Sequence, residues 1–107
     1  MKKFVIVKDS NDELSIRLSN CVGYHFELLS QDIKCVGGGH FHIDGENIYL
    51  YGTSIDYGRA SMADCENALN NTLSSWIRFN YYYSEVTQCP VSLDTIISSL
   101  SILIYKK

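Results

Sequence analysis

The 107-residue chain has no apolar run approaching the length of about eighteen residues that a membrane-spanning helix needs. Its N-terminus, "MKKFVIVKDS", starts with lysines, but the apolar run over residues 4–7 is four long and stops at Lys8 and Asp9. A secretory core is longer, so a buried strand is the expected reading. None of the four cysteines, Cys21, Cys35, Cys65 and Cys89, forms a CxxC pair. Wide, irregular spacing and no secretory signal point to reduced thiols in a cytoplasmic protein. Neither GxGxxG nor GxxxxGK[ST] occurs, so the nucleotide-binding fingerprints are absent. Basic residues are also scarce: nine Lys and Arg against twelve Asp and Glu give a net charge of −3. That balance argues against non-specific nucleic-acid binding, which needs a basic surface to displace counterions, and leaves room for a local basic pocket. No linker, repeat or low-complexity segment divides the chain, so one domain is expected.

What is present is patterned. "KFVIVK" is short, β-branched and followed by "DSND", which reads as a strand and a turn. Residues 13–19 alternate, with Leu14, Ile16 and Leu18 on one side and Arg17 on the other, the period of a half-buried strand. From His25 the period changes: Phe26, Leu29 and Ile33 predict a short helix. Gly37, Gly38 and Gly39 then predict a break in regular structure. "HFHID" and "NIYLY" around "DGEN" predict a hairpin. Met62, Cys65, Ala68, Leu69 and Leu73 form the stripe of a second helix, and "WIRFNYYY" reads as a strand. The tail has Leu93, Ile96, Ile97, Leu100, Leu103 and Ile104 at helical spacing, with lysines at its end suited to a helix dipole, while "SILIY" equally suits a strand.

The chemistry-bearing residues crowd together. All three histidines, His25, His40 and His42, fall within residues 23–42, beside Cys35. His40 and His42, two apart on a strand, would face one way, but a structural zinc site wants a fourth ligand and none is near. No metal or other cofactor is expected. His25 is different, because it stands where a helix begins. Unpaired N–H groups at a helix start favour an anion, and the dipole there opposes protonation of imidazole. A neutral imidazole acts as base or nucleophile, although a capping or packed histidine would sit there equally well.

Three motifs in order carry a resemblance. Arg17 with Tyr24-His25, then "CVGGG", then "YLYGTSIDYG" is similar to the protein phosphohistidine phosphatase family, which includes the Janus and Ocnus proteins. The resemblance covers about residues 2–80. It implies a small α/β (α+β) domain: a mixed sheet of five to six strands packed with two helices. Here that core would span residues 1–83, with 84–107 as a C-terminal extension packing on it. It also implies removal of phosphate from phosphohistidine in proteins without a metal. By that resemblance His25 is the catalytic residue. Lys3, Arg17, Tyr24, the backbone near Phe26, and Ser54 with Asp56 close by line the substrate site. His40 stands directly after the glycines, where other members carry arginine. The partner implied is a phosphohistidine-bearing protein, with no nucleic acid and no membrane. The tail would cap the sheet or form a dimer contact, so a monomer or weak homodimer is expected.

The chain also departs from the pattern. The segment between His25 and Cys35 is about ten residues shorter than in the family, and Asp56 brings an acid close to the expected phosphate pocket. A non-catalytic phosphate- or partner-binding member is therefore the competing expectation.

Overall fold

The structure is a computed structural model that describes residues 2–19, 33–72, 79–88 and 92–106. Tyr24, His25 and Phe26, and the helix expected there, lie outside the described residues, as do Cys21 and Cys89. The order is β1 (Lys3–Lys8), β2 (Leu14–Ser19), β3 (Lys34–Asp44), β4 (Asn47–Tyr51), α1 (Met62–Thr72), β5 (Asn80–Ser84), α2 (Leu93–Ser98) and β6 (Leu100–Lys106). The strands make one six-stranded sheet in the order β2-β1-β3-β4-β5-β6. All neighbours are antiparallel except β4 and β5, which are parallel. The fold is α+β with a mixed sheet, as the sequence pattern and the resemblance both imply.

Alternation along the strands sorts their side chains. Phe4, Ile6, Ile16, Phe41, Ile48, Leu50, Tyr81 and Tyr83 join Ala60, Cys65, Ala68 and Leu69 in one buried cluster. The helix α1 supplies Cys65, Ala68 and Leu69, each fully buried, at the spacing of one helical face. Its start is fixed by Ser61, whose Oγ accepts the Asp64 N–H at 3.1 Å, an N-cap that satisfies one orphan donor. Its far end is tied to β2 by Asn71, whose Nδ2 donates to the Leu14 carbonyl at 3.0 Å. The helix lies across this face and approaches both edge strands, β2 and β6. Val5 and Val7, on the opposite face of β1, are as buried as Phe4 and Ile6, so the inner strand is covered on both sides.

Two expectations change. The three glycines do not interrupt the chain: β3 runs straight through them. Their small size serves close approach instead. A Cβ on Gly37 would stand 2.7 Å from the Ala60 Cα, and one on Gly39 2.5 Å from the Tyr51 carbonyl oxygen. Both obstacles are backbone, which cannot rotate away. The irregularity falls earlier, where the β1–β3 register slips past Val36. The second change is in the tail, which is neither one helix nor only a strand. It divides into α2 and β6, and Lys106 ends a strand rather than complementing a helix dipole. Helical spacing over residues 93–98 was a true signal; Leu103 continued it by coincidence. The strand β6 pairs with β5, so the tail extends the sheet.

Candidate functional site

Register brings three of the expected residues onto one face. Lys3 is paired with Ser19 on one side and His40 on the other, and His40 is paired with Tyr51. Paired residues point the same way, so Ser19, Lys3, His40 and Tyr51 form a row across four strands. Arg17 is paired with Val5, which is paired with Gly38. That second row is two residues along on the same face. Lys3 and Arg17 therefore lie diagonally across β1 and β2, about 7–8 Å apart at the backbone, within reach of one small anion. This face is opposite the one that α1 covers, and Arg17 points away from Ile16 as its alternation predicts.

His40 has a defined setting. Its ring lies 5.9 Å from that of Tyr51, tilted by 33°. It also packs over Gly52, where an added Cβ would meet the His40 Cδ2 at 2.8 Å. Gly52 has φ +76°, a conformation that strains any L side chain. Tyr51 was not among the expected site residues, yet the sequence holds the signal. A tight turn pairing Asp44 with Asn47 places Tyr51 opposite His40 by counting outward. His42 lies on the same face as His40, two residues farther along β3 and opposite Tyr49.

Ser54 and Asp56 belong to a closed loop. The Ser54 N–H donates to the Gly58 carbonyl at 3.3 Å and the Gly58 N–H to the Ser54 carbonyl at 2.9 Å. The Ser54 Oγ accepts the Tyr57 N–H at 3.2 Å, so this buried hydroxyl closes its own turn while its proton stays available for donation. Asp56 is exposed near the loop tip. The loop is stitched to β3: Gly38 donates to the Gly58 carbonyl at 3.1 Å and accepts from the Ala60 N–H at 3.4 Å. It thus leaves the sheet from the Lys3 row, at Tyr51, and returns to the Arg17 row, where Arg59 bridges to Gly38.

The remaining candidates lie elsewhere. Cys35 is half-buried with its Sγ donating to the Gly37 carbonyl at 3.3 Å, and burial pushes its thiol pKa up. A protonated thiol is a poor ligand and nucleophile. Among the described residues no three His, Cys, Asp or Glu side chains gather as a metal site would require. An open cavity of about 420 Å³ sits at the start of α1, lined by Arg59, Ser61, Met62, Tyr83 and Glu85 among others. None of the expected site residues lines it. Arg59 lies over the Tyr83 ring, 5.1 Å from its centroid.

With this geometry in view, the comparison with known families is decisive. A family model of the Janus/Ocnus proteins matches residues 3–80. The chain belongs to the Janus/Ocnus family. The match runs from Lys3 to the first residue of β5, so it takes in both rows and the loop and leaves out α2 and β6. A search of curated proteins finds no match to this Janus/Ocnus chain.

Proposed function

We propose that this Janus/Ocnus chain is a metal-independent phosphatase that removes phosphate from phosphohistidine in proteins. The observation that carries the reading is the diagonal placement of Lys3 and Arg17 on one face of the sheet. Two cations set close together suit a phosphoryl group. Arg17 would bond its oxygens in bidentate fashion and Lys3 would act as a point charge. Donors and cations fixed in advance stabilise the charge spread over those oxygens as phosphoryl transfer proceeds.

His25 supplies the chemistry in this reading, on the strength of the resemblance. The P–N bond of phosphohistidine breaks readily once the leaving imidazole nitrogen takes a proton. Neutral His25 either attacks phosphorus, forming a P–N bond that water then hydrolyses, or takes a proton from a water that attacks directly. Either route consumes one water and yields histidine and inorganic phosphate. In this reading the helix start expected at His25, and the Lys3 and Arg17 charges that the resemblance sets beside it, would both hold its imidazole neutral.

A binding module that has lost catalysis is the second reading. It is favoured by His40, packed on Tyr51 where other members have arginine, and by the acid Asp56 in the loop. Phosphate release from a phosphohistidine protein, with and without chelator, separates the two. Activity that survives chelation is expected, as is a fall of roughly 10²–10⁴-fold in folded His25→Ala protein. Wild-type turnover by His25→Ala would sink the catalytic assignment. Loss of activity on chelation would overturn metal independence, and an inactive wild type would leave the binding module.

A further inference from the structure

Ile55 is 99% exposed at the tip of the loop that joins the two rows. An isoleucine in that position adds nothing to the core and holds its apolar surface in water. A single exposed apolar residue is ordinarily unremarked. This one is held out by design of the loop. Three hydrogen bonds between Ser54, Tyr57 and Gly58 close the turn, and Gly38 ties its base to β3. The side chain is therefore presented before any partner arrives, and little ordering is needed when one does. The loop starts just past Tyr51, in the Lys3 row, and returns at Arg59, opposite Gly38 in the Arg17 row, so its two ends adjoin both rows. A phosphoryl group has no apolar surface to offer Ile55. A polypeptide bearing that phosphoryl group does. The adjacent exposed carboxylate of Asp56 favours a cation beside it.

We propose that Ile55 is the contact through which this chain recognises the protein that carries the phosphohistidine. The preferred substrate presents an apolar side chain and a Lys or Arg next to its phosphohistidine. This inference rests on the phosphatase reading and adds that the substrate is gripped by its flanking side chains.

The test uses the full chain and three substrates: a phosphohistidine peptide flanked by Leu and Lys, one flanked by Gly, and phosphoramidate. Wild type should show a KM about tenfold lower for the Leu/Lys peptide than for the Gly peptide, the scale expected for burying one aliphatic side chain. Ile55→Ser should erase that preference and leave phosphoramidate turnover unchanged, and Ile55→Leu should restore it. The thermal melt of Ile55→Ser should match wild type, because the side chain is not buried. No preference in wild type, or a preference that survives Ile55→Ser, overturns the contact while the phosphatase reading stands. So does an equal loss on all three substrates, which would put Ile55 in the phosphate pocket. A wild type inactive on all three fails the phosphatase reading and the contact together.

Discussion

The two faces of the sheet are made by the same strands and follow different rules. On the face under α1, what matters is volume. Phe4, Ile6, Ile16 and Leu50 meet Cys65, Ala68 and Leu69, and the space left at Gly37 and Gly39 is too small for a methyl group. On the other face, what matters is position. Ser19, Lys3, His40 and Tyr51 line up only because the registers of three strand pairs agree. A change in size should therefore harm the first face through stability, as it would at the buried Val5 and Val7 behind it, and a change in charge at Lys3 or Arg17 should act through binding.

The largest break of that contrast should come from Gly39→Ala. Its Cβ would sit 2.5 Å from a carbonyl oxygen and 2.9 Å from the Phe4 ring, with no flexible neighbour in the backbone contact to yield. Overpacking of this kind costs about 3 kcal/mol or more. The melting temperature should fall by roughly 10 °C or more. A melt within a few degrees of wild type would mean that β3 and the end of β4 are less closely apposed than described.

Arg17→Ala should do the reverse. A lost charge-assisted contact should raise KM for a phosphoryl substrate roughly tenfold to a hundredfold, with kcat little changed. Arg17 is half-buried, so stability should fall by about 1 kcal/mol, less than for Gly39→Ala. A fall in kcat at constant KM would confine Arg17 to the transition state, and a large fall in melting temperature would make it part of the scaffold.

The smallest effect concerns protons. Burial, with a further push from Asp64, raises the Cys65 thiol from 9.0 to about 12. The folded state thus holds its proton where the unfolded chain gives it up. The stability this contributes is full below pH 9.0 and is lost as pH rises toward about 12. The loss by pH 10 should be about 1 kcal/mol. Denaturant melts from pH 8 to pH 10 should be steeper in pH for wild type than for Cys65→Ala. Equal slopes would place the alkaline sensitivity on Tyr49 and Tyr83, whose hydroxyls burial also shifts upward.

The apolar face was legible in the sequence because alternation and helical spacing report burial directly. Leu14, Ile16 and Leu18, and Cys65, Ala68 and Leu69, sit where their periods put them. The other face was legible only in pieces. Arg17 could be pointed away from Ile16, but its placement near Lys3 depends on which strands adjoin, which no local pattern states. The glycines misled because glycine has two uses, turning and close approach, and only the backbone of Ala60 and Tyr51 tells them apart. The tail misled at Leu103 because a short apolar run fits either period. Ser54 was legible as part of a loop but not as its closing hydroxyl, since that requires the Tyr57 N–H to fold back.

The parallel pairing of β4 with β5 has a consequence of another kind. Asn47 and Asn80 share a side-chain hydrogen bond although they are 33 residues apart. Parallel neighbours cannot be joined by a tight turn, so the chain reaches β5 only through a crossover, which here includes the loop and α1. The strand β6 in turn needs β5. The sheet is thus a chain of conditions rather than a set of equals. Strands β3 and β4 meet across a tight turn, whereas β6 pairs only with β5, which the chain reaches through the crossover. A lesion in α1 would be felt at the C-terminal edge of the sheet, far along the sequence from where it was made.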